Sequence, residues 1–321
     1  MSGDRSTGDL TRRTENSSRE LLARWFFFAC AAISVVTTAS IVLLLVHEAA
    51  KFFTVTAPYV GGVQGATASI TEFLTGTSWN LSGPELGVLP LVSATLMVTF
   101  GSAVIAIPLG VATAIYLSEY ASERARSYLK PALEVLAGVP SIIYGIFAVA
   151  YITPALSTVF PSIGFFNIVS ACVVVGVMII PMIASVSEDA MSAVPDELRE
   201  AGYGMGATKF DVSVSIVVPA ATSGIISSFI LGLSRAIGET MAVTLATGSR
   251  AILHNPLNPQ AYLEPGMTMT AAMIQLLFGD ITGGGLAYRS LFAIGLVLFC
   301  ITLVMNIISD VIARRYREVY E

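Results

Sequence analysis

Five uncharged stretches dictate what this chain can fold into. Residues 25–46 contain no formal charge for 22 positions, 86–118 for 33, 135–187 for 53, 212–234 for 23 and 290–309 for 20. A helix of roughly 20 apolar residues crosses about 30 Å of hydrocarbon. The longest stretch holds two such helices, divided near Pro154, Pro161, Gly164 and Asn167, where helix breakers gather. The sequence therefore predicts an all-α, polytopic membrane protein with six spans. Their bounds are expected at 25–46, about 86–118, 132–155, 165–187, 217–247 and 290–312. With 55% hydrophobic and 12% charged residues, the chain carries half the charge of an average soluble domain.

Lysine and arginine set the orientation, because short cytoplasmic loops hold them in excess. Thirteen lie on one side: Arg5, Arg12, Arg13, Arg19 and Arg24; Arg124, Arg126 and Lys130; Arg199 and Lys209; Arg314, Arg315 and Arg317. The other side holds Lys51, Arg250 and Arg289, and Arg235 falls inside a span. Both termini are expected in the cytoplasm. Residues 1–24 read as a disordered tail, 47–85 as an extracellular segment, 188–216 as a cytoplasmic loop and 314–321 as a cytoplasmic tail. The first apolar run exceeds the 7–15 residues of a signal-peptide core, so it reads as an uncleaved span.

Several functions are excluded or unsupported. A net charge of −5 offers no basic surface for nucleic acid. Cys30, Cys172 and Cys300 sit in separate apolar stretches without paired spacing, and His47 and His254 are isolated, so no metal site is suggested. There is no phosphate loop of the G-x-x-x-x-G-K-[ST] form, no H-E-x-x-H and no G-x-S-x-G. No enzyme chemistry or cofactor is expected, and any ATP used must be hydrolysed by another subunit.

Two polar segments interrupt the apolar text. The first, 195–219, predicts a short helix from Pro195 to Met205 with Asp196 and Glu197 at its positive end. Gly206 supplies a stop, and Thr208 with Asp211 caps a second helix leading towards Pro219. The second is Arg235–Glu239 with Thr240, Thr244 and Thr247. Charge at membrane depth costs at least a few kcal/mol and normally faces a water-filled path or a partner. Arg235 and Glu239, four apart, share a helix face and are able to pair. As a transport device, guanidinium would attract an oxyanion and the carboxylate would weaken the trap enough for release. As a structural device, the pair would tie helices together.

The order Glu200-Ala201-Gly202, three residues, Gly206, nine residues, Ile216-x-Val218-Pro219 resembles the EAA motif of ABC-importer permeases, E-A-A-x3-G-x9-I-x-L-P. Gly202 and Val218 depart from it. The run Arg235 to Val243, reading RAIGETMAV, resembles the fifth-span motif of phosphate-specific transporter permeases, the PstC/PstA pair. Gly138 to Gly145 (GVPSIIYG) and Pro181-Met182-Ile183 agree, and the likeness covers about 86–313. The segment Phe73 to Trp79 with Gly87-Val88-Leu89-Pro90 is similar to the PstC type, although the proline usual after that tryptophan is displaced to Pro84. The resemblance implies a type I ABC importer permease core that imports inorganic phosphate. It also implies a second permease of PstA type, an ATPase homodimer of PstB type and an extracellular phosphate-binding protein of PstS type. Glu200, Ala201, Gly202 and Gly206 would couple to the ATPase, and Arg235, Glu239 and Thr240 would line the path. Another oxyanion such as sulfate or molybdate, or a passive anion channel, remains the alternative.

Pro108, Pro140 and Pro181 are expected as kinks or hinges within the second, third and fourth spans. Residues 267–278 form an apolar piece too short to span, and Gly283 to Gly285 a flexible turn.

Overall fold

The computed structural model describes residues 18–54, 57–58, 65–66, 68–80, 85–279 and 285–317. Most of the expected N-terminal tail, Pro84, Gly283 and Gly284, and the last four residues lie outside the described residues.

Four helices are long and apolar enough to cross a membrane, and two bent pairs bring the number to six. In chain order they begin with α1 (Ser18–Thr54), the short α2 (Ile70–Thr75) and α3 (Leu89–Ile115). A wide π-helical turn, Tyr116–Tyr120, closes α3. Next come α4 (Glu123–Ala137), α5 (Ser141–Phe147), α6 (Thr153–Ser157) and α7 (Ile168–Ser192). An even number of crossings places both ends on the same, cytoplasmic, side. A two-residue β-ribbon, β1 (Ala57–Pro58) with β2 (Gly65–Ala66), follows α1.

Helices α3 and α7 form the centre. Their interface is built on small residues, as is usual where two helices must approach closely in lipid. A Cβ on Gly101 would lie 2.4 Å from Cys172 Sγ, and one on Gly110 would lie 2.6 Å from Ile183 Cγ2. Buried hydroxyls in α3 return to their own helix: Thr95 donates to the Leu91 carbonyl (2.7 Å), Thr99 to Thr95 (2.8 Å) and Ser102 to Val98 (2.7 Å). No donor is thereby wasted in hydrocarbon, where an unpaired polar group costs several kcal/mol. Pro108 lies inside α3 and Pro181 inside α7.

The third span differs from expectation. Residues 132–155 are not one helix: α4 meets the Ser141–Ser157 helix at 87°. The break falls at Gly138–Pro140, with Pro140 capping α5 rather than kinking a span. Proline lacks a donor and disfavours helical geometry in the residue before it, so the chain turns there. None of the α4 residues is buried.

The fifth span differs too. The stretch 217–247 contains α10 (Val218–Ala220), α11 (Thr222–Ile237) and α12 (Met241–Thr247). The helical run Lys209–Ala220, whose first turn is α9 (Lys209–Val212), bends by 71° against α11. A second break falls at Gly238–Thr240. The ten-residue α13 (Met269–Phe278) then inserts with Met269, Ala271, Ala272 and Leu276 buried, and α14 (Leu286–Arg317) closes the fold.

On the outer side, α2 is clasped to the start of α3. The Gly87 amide donates to the Ser78 carbonyl (2.9 Å) and the Val88 amide to Phe73 (2.8 Å). Phe73 stacks edge-on against Phe52 and Phe53 of α1, with centroids 5.3 and 5.6 Å apart. A Cβ on Gly87 would lie 2.2 Å from the carbonyl carbon of Gly76. The nearest atoms all belong to the Gly76 backbone, so nothing there can swing away. Gly87→Ala is expected to open this clasp and destabilise the outer module by about 2–3 kcal/mol, in the range of overpacked cores; faster proteolysis of the 68–88 segment in the purified variant checks it.

Candidate translocation path and coupling loop

The cytoplasmic loop after α7 is a helix, a turn and a second helix. Its first helix, α8 (Asp196–Gly204), starts after Pro195, which serves as the cap rather than the first helical residue. Asp196 and Glu197 sit in the first turn, facing the positive end of the helix dipole. At the other end, the Ala207 amide donates to the Gly202 carbonyl (3.1 Å) and the Gly206 amide to Tyr203 (2.9 Å). This pair of bonds is a Schellman stop, and it holds Gly206 at φ 83°. Gly206→Ala meets no steric neighbour but must adopt left-handed backbone, at a cost of about 1–2 kcal/mol. The expected result is slower ATP-driven transport with normal membrane insertion, read by uptake alongside immunoblotting.

Thr208 and Asp211 form the reciprocal box that starts α9. The Thr208 hydroxyl (2.6 Å) and amide (3.1 Å) both donate to Asp211 Oδ2, and they hold that carboxyl below its ordinary pKa. A lowered pKa means the box is fully formed above the ordinary carboxylate range. It is lost only as pH falls through the lowered value.

Gly202 replaces the alanine of the EAA pattern for a visible reason. A Cβ there would lie 2.6 Å from Ile216 Cδ1 and 2.9 Å from Val212 Cγ2. Helix α8 therefore packs closely on the helix leading back to the membrane. Glu200, Ala201 and Gly206 are exposed, as are the large apolar side chains Leu198, Tyr203, Met205 and Phe210. Exposed large apolar side chains of this kind occur at protein–protein and membrane contact sites alike.

The second site lies where the fifth span breaks. Arg235 Nη2 stands 3.6 Å from Glu239 Oε2; the arginine side chain is 51% exposed and the glutamate 3%. Glu239 is held on its other side: its Oε1 accepts from the Ala242 amide (3.4 Å), and its carbonyl accepts from the Thr270 hydroxyl (2.8 Å). Neighbouring Met269 donates its amide to Thr95 Oγ1 (3.0 Å). Thr95 lies six residues into α3, about 9 Å from its outer end at 1.5 Å per residue. The carboxylate is thus fixed within the bundle, while the guanidinium remains open.

The threonines contribute less than their spacing suggests. Thr240 donates to the Gly238 carbonyl (3.0 Å), Thr244 to Thr240 (2.7 Å) and Thr247 to Val243 (3.0 Å). Their protons are committed to backbone, leaving oxygen lone pairs rather than donors. Arg235 supplies the open positive donors.

Sequence reasoning missed the ionic joints at the cytoplasmic ends. Glu188, with a side chain 0% exposed, pairs with Arg126 and with Lys130 Nζ (2.7 Å), and Lys130 also reaches Asp189 (2.7 Å). Hydrogen bonds from Lys130 to Asp189 and Glu188 hold the ammonium above its ordinary pKa. These contacts tie α4 to the end of α7 across about 60 residues of sequence, and no local spacing announces them. Ser234 on α11 likewise donates to Asn306 of α14 (2.7 Å). Among the described residues, no group of three His, Cys, Asp or Glu could hold a metal ion.

Residues 106–318 match the family described as binding-protein-dependent transport system inner membrane component. The chain belongs to that family. The permease is 34% identical over 246 residues to a Bacillus subtilis (strain 168) protein named as the probable ABC transporter permease YqgH, covering 76% of this chain and 78% of that one. It is 35% identical over 276 residues to the phosphate transport system permease PstC of Xylella fastidiosa (strain 9a5c), covering 79% and 82%. In fold, it is similar to a chain of a bacterial ABC transporter involved in the import of the acidic polysaccharide alginate. That likeness has a TM-score of 0.61 at 14% identity and covers 92% of this chain and 98% of the other. A second solved structure, the inward-facing MetNI methionine ABC transporter, matches with a TM-score of 0.51 at 18% identity. The permease is therefore an ABC importer subunit of type I architecture. Family membership implies partnership with an ATPase and an external binding protein, so this chain carries the transport path and not the hydrolytic site.

Proposed function

We propose that the permease is the PstC-type subunit of an ATP-driven importer of inorganic phosphate. The observation that carries this reading is the half-exposed Arg235 guanidinium, 3.6 Å from a buried carboxylate, at a break in a membrane helix. A guanidinium presents a planar fork of donors matched to phosphate oxygens. Burying Glu239 beside it lowers the local positive potential, so the site attracts an anion without holding it indefinitely. The relationship to phosphate permeases over four fifths of the chain supports phosphate as that anion.

The importer would combine this chain with a PstA-type permease, a PstB-type ATPase homodimer and a PstS-type binding protein. Its second permease would cover the open face of Arg235. Glu200, Ala201, Gly202 and Gly206 belong to the docking element in this reading: Glu200 and Ala201 present the outer surface, Gly202 allows close packing and Gly206 sets the turn. The helices around the path would rearrange as the ATPase closes, moving access from outside to inside.

An anion panel tests the substrate. Labelled phosphate uptake by the reconstituted importer should be suppressed by excess unlabelled phosphate and left within about twofold by equal sulfate or molybdate. Full suppression by sulfate or molybdate would reassign the path to that oxyanion.

A further inference from the structure

Arg199 occupies a position that the EAA pattern does not explain. It sits on α8, yet only 15% of its side chain is exposed, and its fork points away from the docking surface. Nη1 donates to the Val194 carbonyl (2.6 Å) and Nη2 to Met191 (2.8 Å), so the arginine caps the last turn of α7. A cation there also faces the negative end of the helix dipole. Nη2 additionally pairs with Glu119 Oε1 at 3.1 Å, and that carboxylate is 5% exposed. The outward partner, Asp196 (3.1 Å), is exposed and adds little.

Glu119 belongs to the π-helical turn Tyr116–Tyr120 that ends α3. The Ala121 amide reaches back five residues to the Tyr116 carbonyl (2.7 Å), giving a widened turn of the kind that recurs at functional sites. The next residue of that turn, Tyr120, receives Lys209 Nζ 5.1 Å from its ring centroid. Lys209 begins α9, on the far side of the Gly206 stop. The same turn of α3 is therefore gripped from both limbs of the cytoplasmic loop: by Arg199 before the stop and by Lys209 after it.

We propose that Arg199 is the positioning residue that carries movement of α8 into the bundle, and that the π-turn of α3 receives it. This rests on the reading that α8 docks the ATPase. The grip has mechanical sense. Helix α8 packs on 212–216 through Gly202, and among the described residues only Arg199 joins it by hydrogen bonds to the ends of both central helices, α3 and α7. A push on α8 is delivered through one rigid fork to two helices at once. A lysine would keep the charge and lose the simultaneous contacts.

The test uses the full complex in liposomes, with the permease free of native cysteines and labelled singly at two sites. A spin label at Glu197→Cys, exposed on α8, reports whether ATP changes the docking surface. A label at Ala112→Cys, exposed on the cytoplasmic half of α3, reports whether α3 follows. Expected in the otherwise native chain is an ATP-dependent change at both positions. In Arg199→Lys and in Glu119→Gln the α8 change should persist, with ATPase rate retained. The α3 change and the transport per ATP should each fall at least about fivefold, the lower end of ordinary coupling between sites. The two substitutions combined should lose no more than either alone, because they act on one link. An undiminished α3 response in both variants overturns the proposal while leaving docking intact. No α8 response to ATP in the native chain overturns the docking reading and the proposal together. Glu119→Gln, which keeps size and hydrogen bonding, guards against loss through misfolding.

Discussion

Replacing Arg235 by alanine is expected to reduce ATP-dependent phosphate uptake by about ten- to a hundredfold while the complex still assembles and hydrolyses ATP. A hydrogen bond to a charged group is worth about 1.5–3 kcal/mol, and each 1.4 kcal/mol is a factor of ten. Arg235 offers such bonds from a side chain that is half exposed in this subunit, so its removal leaves no strained cavity. Glu239 would lose the Arg235 cation, but its bond to the Ala242 amide remains. Arg235→Lys should retain a fraction of uptake, since it keeps charge without the planar fork. Glu239→Gln should show the opposite defect: tighter anion retention and a lower maximal rate, because the guanidinium is no longer balanced. Uptake with fractionation of assembled complex separates these outcomes. An unchanged rate in Arg235→Ala would make the pair a structural tie.

The second large effect concerns stability. The double substitution Arg126→Ala with Lys130→Ala leaves Glu188 buried without a cation. Stripping one side of a buried ion pair costs about 3–5 kcal/mol. Because the two cations are 39% and 30% exposed, the lower end applies. Thermal unfolding of the purified complex should fall by roughly 5–10 °C. Adding Glu188→Leu should recover most of the loss, since an apolar side chain of similar size needs no counter-charge. If the triple variant were no better than the double, the α4–α7 joint would owe its stability to packing rather than to charge balance. Glu123, one of the exposed charges of α4, serves as the control position.

These two predictions also mark where sequence reading works and where it stops. The i,i+4 spacing of Arg235 and Glu239 anticipated their contact, but it assumed a continuous helix. In the structure, the chain leaves the helix at Gly238, and Glu239 turns its carbonyl to Thr270 on α13. That tertiary partner satisfies a carbonyl the break leaves open. Thr208 with Asp211 and the stop at Gly206 were legible because capping is local, within three or four residues. Glu188 was not, since its partners lie 58 and 62 residues away. The 53-residue uncharged stretch showed two crossings but not the 87° turn before Ser141. Hydropathy measures solvent preference and carries no direction. Gly202 read only as a departure from the EAA motif; the structure gives it a purpose in the closeness of Val212 and Ile216. Thr240 read as lining the path beside Arg235, yet its proton, like those of Thr244 and Thr247, is bound to backbone.

The most direct measurement of the central claim is accumulation of labelled phosphate in proteoliposomes holding the complete importer, with ATP enclosed and the binding protein outside. The account predicts uptake that rises above the outside concentration, stops when ATP is omitted and stops when the binding protein is withheld. Phosphate that merely equilibrates across the membrane, at the same rate with or without ATP, would contradict it and identify a passive anion channel instead.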